Sequence, residues 1–271
     1  MSKRQIKEWY EERHRKPESE AGWRPREWHV AISECLKADR GRLLDVGCGT
    51  GYFLKVMKSR GLECHGIDFS KEAVRVAKKK TKSQILLGDG EKLPYADNCF
   101  DYVTALGALE HFEHVHDGIR EIVRVSKDSA KFLITVPNFN YLFYLFRKER
   151  GTVQREIYEH LFTLDGWKTV LEHNGLVIDM VFQDTYFSYL AHTRSLFVKN
   201  PLSFVEGIIK KIVWLFMPTA LTYLFVFICS KRSIRECVAA RHRIAEPFSQ
   251  GIGEKKLQEM RTPLVKETPV S

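Results

Sequence analysis

The chain has little of what builds metal clusters or covalent frameworks. It has six cysteines in 271 residues, Cys35, Cys48, Cys64, Cys99, Cys229 and Cys237. None falls in a C-x-x-C pair and the spacings are irregular, so no zinc site is readable. No acidic or histidine cluster has ligand spacing, and no metal is expected. Small buried thiols in a reducing, cytoplasmic compartment are the expectation, and the charged N-terminus gives no secretory signal. A long basic tract is also missing. The formal charge is +9 and the pI about 9.2, but the clusters are small (residues 78–80 and 210–211). The charge leaves three readings, nucleic acid, an anionic membrane surface or no specific partner, and its scatter argues against nucleic acid.

What is there reads as globular. Hydrophobic residues make up 44% and charged residues 28%, and the length suits one domain of ordinary size with an appendage. The chain is organised around Leu43-Leu44-Asp45-Val46-Gly47-Cys48-Gly49-Thr50-Gly51. A short apolar strand runs into a glycine turn, and a helix follows with Phe53, Leu54, Val56 and Met57. Glycines admit positive φ and let a ligand approach the backbone. The free amides of the helix start seat an electron-rich group. A dinucleotide site wants G-x-G-x-x-G, whereas this turn reads G-x-G-x-G with an acidic residue two positions before it.

A second strand, Glu63 to Asp68, ends in a carboxylate 21 residues past Gly47. In nucleotide-binding α/β folds such a residue takes the ribose hydroxyls, because a carboxylate accepts two hydrogen bonds from a vicinal diol. Ser70 caps the next helix, with Glu72 in its first turn. Gln84 to Leu87 is a third strand, followed by Gly88-Asp89-Gly90-Glu91. Asp89 is either a ligand contact or the turn residue of an Asp-Gly pair. Phe100 to Leu106 is a fourth strand and Lys131 to Val136 a fifth, with an amphipathic helix from His114 to Ser126 between them. Alternating strands and helices imply a parallel doubly wound sheet.

The motif Asp45-x-Gly47-x-Gly49-x-Gly51 matches the first motif of the class I S-adenosylmethionine-dependent methyltransferases. Leu93-Pro94-Tyr95-Ala96-Asp97-Asn98-Cys99-Phe100-Asp101-Tyr102-Val103 resembles a stretch of their ubiquinone/menaquinone-biosynthesis-like small-molecule members, and Tyr158 to Thr163 resembles the segment before their last helix. The resemblance covers roughly residues 40 to 183. It implies an α/β fold: a doubly wound, mostly parallel seven-stranded sheet with an antiparallel last strand. It also implies S-adenosyl-L-methionine as cofactor, held by Asp45, Gly47, Gly49, Gly51, Asp68, Phe69, Asp89, Gly90, Glu91 and Leu106, with Asp89 facing the adenine amino group. The loop after the fourth strand then faces donor and acceptor, with His111 on it and His160 before the last helix. These two are the candidate bases, because histidine titrates near neutrality. Each is otherwise a histidine that bonds backbone to shape a loop.

Residues 1–40 read as a helical leader, Ile6, Trp9 and Tyr10 on one face and Trp28, Ile32, Cys35 and Leu36 on another. It either covers the cofactor cleft as a lid or packs on the sheet edge. Residues 41–232 are the expected methyltransferase domain, with an insert at 184–220. Thr163 is expected to cap a helix over 164–174 that Gly175 ends, and Leu176 to Phe182 is the sixth strand. Ile212 to Cys229 is nearly free of charge and about long enough to span a bilayer. The preferred reading divides it near Pro218 into an amphipathic helix over 204–216 and the last strand over 223–229. Residues 204–229 are thus the candidate membrane-facing surface, peripheral to a cytoplasmic protein. Aromatics over 139–146 followed by basic residues point to an apolar acceptor. Residues 233–271 read as a polar tail.

The expected function is methyl transfer to a small-molecule, lipid-like oxygen or carbon acceptor. The alternatives are an RNA or protein methyltransferase, a non-catalytic homologue that binds the same donor, and a membrane-anchored interaction protein. Ala105-Leu106-Gly107-Ala108 stands where base and amide methyltransferases carry Asn-Pro-Pro-Tyr, which argues against the first.

Overall fold

β1 (Arg42–Val46) lies inside the sheet of the computed structural model, flanked in parallel by β2 (Glu63–Asp68) and β4 (Phe100–Leu106). The structure describes residues 3–16, 24, 26–142, 159–184 and 218–232. β3 (Gln84–Leu87) continues the parallel sheet beyond β2, and β5 (Ser126–Pro137) beyond β4. The last two strands, β6 (Leu176–Gln183) and β7 (Leu224–Lys231), complete seven in the order β3-β2-β1-β4-β5-β7-β6. β7 runs antiparallel to both its neighbours. The expected sheet is therefore present. The chain divides at Lys231/Arg232, and of the second unit only Arg232 is among the described residues.

Alternation along the strands divides the core. Leu44 and Val46 join one apolar cluster and Leu43 the other, as period-2 side chains must. One face is covered by α2 (Arg26–Ser33), α3 (Tyr52–Ser59) and α4 (Lys71–Thr81), the other by α5 (Val115–Val125) and α6 (Leu164–His173). β7 follows the same rule. Phe225, Phe227 and Cys229 face the second layer, and Val226 and Ile228 the first. Each fully buried phenylalanine contributes roughly 1.5–3 kcal/mol by leaving water.

This settles part of the apolar run. Pro218 opens a short 3-10 turn, Thr219–Leu221, and the strand follows. Among the described residues no helix is long and apolar enough to cross a membrane. Leu224 to Cys229 are buried within the sheet, so this half of the 204–229 surface is not available to a bilayer. The expected helix over 204–216 lies outside the described residues, as do the 185–217 part of the insert, residues 143–158 and the tail.

β5 starts five residues earlier than expected. Its first residues are polar, yet they pair because Phe100 meets Ser126 through an irregularity in the ladder, and Lys127 Nζ reaches Asp101 Oδ1 at 2.8 Å. The capping expectations hold. Ser70 Oγ accepts from Ala73 N, Thr163 Oγ1 accepts from Gly166 N, and Gly175 (φ +95°) ends α6.

Candidate active site

The glycine turn leaves β1 with Gly47, Gly49 and Gly51 all at positive φ. The amides of Gly47 and Cys48 donate to Ile67 O at 2.9 and 3.1 Å, which locks the turn to β2. A Cβ on Gly47 would lie 2.6 Å from Ala108 Cβ, so the loop after β4 is pressed against the turn. Gly51 has a different task. It is the N-cap of α3, and a Cβ there would lie 2.7 Å from Thr81 Cγ2 of α4. It does not line the cavity, unlike Gly47 and Gly49.

At the carboxyl ends of the strands lies a cavity of about 340 Å³ whose wall includes Asp45, Gly47, Gly49, Asp68, Phe69, Asp89, Gly90, Glu91, Leu106 and His111. That volume suits a small ligand. The structure thus brings together the sequence-predicted residues apart from Gly51 and His160. Asp68 is buried and works twice: Oδ2 accepts from Gly49 N at 2.8 Å and Oδ1 from Ser70 N at 2.9 Å. Burial pushes its carboxyl up, with the nearby His14 and these backbone bonds opposing. Asp45 accepts from Thr104 Oγ1 at 2.6 Å, and burial pushes it up to about 7. Asp89 is the turn residue the sequence allowed, and it stands where a ligand could reach it. Its Oδ1 accepts from Glu91 N at 3.0 Å in a local turn, and it lies on the cavity wall.

The leader supplies one side of the cavity. On α1 (Lys3–Arg15), Ile6, Tyr10 and His14 are buried, while the expected Trp9 is only half-buried. The Tyr10 ring lies 5.5 Å from both Phe69 and His111. Lys3 Nζ pairs with Asp89 at 2.5 Å and Glu91 at 3.2 Å. Glu11 caps α4 from outside, accepting from Ser70 Oγ and from the amides of Lys71 and Glu72 at 3.2, 2.6 and 3.0 Å. Further on, Trp28 and Arg24 both reach the buried Asp184, just beyond β6. Sequence reasoning missed Lys3, Glu11, Arg24 and Asp184. Their partners are distant in the chain, and charged side chains in a polar leader carry no local signal.

The loop after β4 turns through Gly107 (φ +77°) into a 3-10 turn, Leu109–His111. Phe112 wedges its ring where a Cβ on Gly90 or Gly118 would stand, at 2.5 and 2.2 Å, and so joins this loop to the one after β3. Glu110, passed over in the sequence, is 3% exposed and lies on the cavity wall. Burial, reinforced by Glu159, pushes its carboxyl up to about 8. His160 is not on the wall. Its Nε2 donates to Phe112 O at 2.8 Å, its amide donates to Glu110 O at 2.7 Å, and its ring stacks on Phe162. Burial lowers its pKa. That is the geometry of a loop brace, the other reading the sequence left open for it: a histidine that bonds backbone to shape a loop.

A parallel sheet with an inserted antiparallel β7, a glycine turn after β1 and acidic residues after β2 and β3 define a class I methyltransferase fold. Residues 44–134 match the family model described as a methyltransferase domain, and the chain carries such a domain. S-adenosyl-L-methionine is the donor of this class. Demethylmenaquinone methyltransferase of Renibacterium salmoninarum is 32% identical over 40% of this chain and 47% of its own length. Malonyl-[acyl-carrier protein] O-methyltransferase of Buchnera aphidicola is 27% identical over 68% of this chain and 81% of its own. The chain spans less than half the length of the first curated relatives it matches. Among solved structures, a chain from a complex of the Haloferax volcanii Trm112 methyltransferase activator with a methyltransferase superposes with a TM-score of 0.62. That match is 19% identical and covers 86% of this chain and 98% of the other.

Proposed function

We propose that the protein is an S-adenosyl-L-methionine-dependent methyltransferase acting on a small-molecule acceptor, lipid-like and methylated at oxygen or carbon. The observation that carries this reading is the row of two carboxylates and a glycine turn along the carboxyl ends of adjacent strands, Asp89 after β3, Asp68 ending β2 and the Gly47–Gly49 turn after β1, all on one cavity. The row suits an adenosine followed by a charged sulfur. When bound, the donor supplies a methyl group already activated on a sulfonium. The protein's part is to hold, orient and keep water out.

Asp68 is the ribose contact, fixed by two backbone amides. Asp89 and the Gly90–Glu91 backbone frame the base, and Phe69 and Leu106 give apolar walls. Asp45 lies behind Gly47 and holds Thr104. Residues 1–40 serve as a lid, with Tyr10 packed over Phe69 and His111. The acceptor enters against the loop after β4, where His111 stands. The described cysteines are all free thiols, which suits a cytoplasmic location.

The test is calorimetric titration with S-adenosylhomocysteine, wild type beside Asp68→Ala. Micromolar binding that weakens at least tenfold in the variant is the expected result. No binding by folded wild-type protein would overturn the reading.

A further inference from the structure

Glu110 combines three features that no part of the donor site requires. It is almost fully buried, it lies on the cavity wall, and its Oε2 has no hydrogen-bond partner. A buried carboxyl oxygen left without a partner is costly. It persists where a ligand completes it. The backbone beneath is fixed, because Glu110 O accepts from His160 N at 2.7 Å. The brace described above therefore aims this side chain.

The strand order β3-β2-β1-β4 sets the groups along the cavity as Asp89, Asp68, Gly47 and then Glu110. An adenosine spanning the first two leaves the sulfonium end at the third, beside the loop that Ala108 presses onto Gly47. We propose that Glu110 is the base that takes the acceptor's proton, and that the attacking atom of the acceptor is a hydroxyl oxygen. This rests on the donor reading above. In the step, a lone pair on that oxygen forms the bond to the methyl carbon. The methyl–sulfur bond breaks with its electron pair going to sulfur, and the acceptor's proton passes to Glu110 Oε2, later to leave to water.

The charged and titratable groups around Glu110 come from four places. They are Tyr10 on α1, Arg24 before α2, His111 on its own turn with Nε2 3.9 Å from Oε1, and Glu159 before α6. Burial and Glu159 favour the protonated acid, Arg24 opposes, and Arg24 is itself held by Asp184. With no cation beside it, Glu110 stays largely protonated at pH 7. A cation placed beside it favours the carboxylate, so the base becomes active only once the sulfonium has arrived. The neutral thioether of S-adenosylhomocysteine lacks that charge.

The test needs no acceptor. Binding of S-adenosylmethionine and of S-adenosylhomocysteine is measured at pH 7 by calorimetry in two buffers of different ionisation enthalpy, which counts protons released. Wild type is expected to release roughly 0.5–0.9 proton more with the sulfonium than with the thioether. Glu110→Gln is expected to lose most of that excess while binding S-adenosylhomocysteine within about threefold of wild type. Asp45 is untouched by this change, so any share it contributes stays. An excess unchanged in E110Q, or no excess in wild type although both ligands bind, overturns the inference and leaves the donor reading standing. Binding of neither ligand overturns both. Should E110Q not fold, the infrared band of a protonated carboxyl decides. Because Asp45 adds to that band, it is followed as a difference in the Asp45→Asn background: intensity must be lost with S-adenosylmethionine and kept with S-adenosylhomocysteine, and equal loss or no loss with the two overturns the inference.

Discussion

Trp28 Nε1 donates to Asp184 Oδ1 across 2.5 Å, joining α2 to the end of β6 over 156 residues of chain. The same carboxylate takes Arg24 Nη1 at 3.2 Å, and the Arg24 guanidinium lies 4.1 Å above the Trp28 ring. Trp28→Phe keeps an aromatic ring but loses part of the apolar volume and strips a donor from a fully buried acid. A loss of about 1–3 kcal/mol is expected, read by urea unfolding. Asp184→Asn, which keeps an acceptor for the indole, should cost less.

Gly51→Ala should be worse than its size suggests. The added methyl would meet Thr81 Cγ2 at 2.7 Å and Ala77 Cβ at 3.1 Å, at a φ of +78°. Overpacking and the left-handed backbone together cost about 2–5 kcal/mol. Because Gly51 is off the cavity wall, S-adenosylhomocysteine affinity of the folded variant should change less than tenfold. Adding Thr81→Ser should recover part of the stability, and unfolding curves of the two variants show whether it does.

His160 gives a pH signature. Burial holds its folded pKa below the unfolded value of about 6.5. Its contribution is therefore fully present above that value and lost as pH falls through the folded one. The raised carboxyls of Asp45 and Glu110 act in the opposite sense over this range, so the signature is a difference: the stability of wild type relative to His160→Gln should shrink on acidification from pH 7 to 5, read by urea unfolding of both at each pH.

Glu11 is a carboxylate cap supplied by a different helix. Burial pushes its pKa up, but the bonds from Glu72, Lys71 and Ser70 prevail and hold it below the ordinary range. Its stabilisation is present above a carboxylate pKa of about 4.3 and is lost as pH falls through the depressed folded value. Glu11→Ala should cost about 0.5–2 kcal/mol. It should also speed hydrogen exchange in α1 more than in β1.

The proposed donor half of the site was legible because it is written in backbone. Gly47, Gly49, Asp68 and Asp89 stand at fixed distances after strands whose apolar runs mark themselves, and the boundaries of β2, β3 and β4 came out as expected. The other half is written in side chains that meet only in the fold. Glu110 and His111 are adjacent in sequence, and the imidazole drew attention because its usual pKa suits a base. Burial gives the carboxyl that property instead, and burial of a single loop residue has no sequence period. For the same reason the sequence left His160 open between two readings. Nothing in Tyr158-Glu159-His160 says that its ring nitrogen meets the Phe112 carbonyl.

The position of β7 has a consequence for synthesis. The strand that pairs β5 with β6 is the last of the seven to leave the ribosome, so neither neighbour has its partner until residues 224–231 emerge. Until then β5 presents an open hydrogen-bonding edge beside Phe132 and Ile134, the kind of edge that recruits strands from other chains. A chain cut at residue 183 would keep every donor-site carboxylate named above and still lack the means to close its sheet. The nascent protein is thus most prone to aggregate after its catalytic motifs are already made.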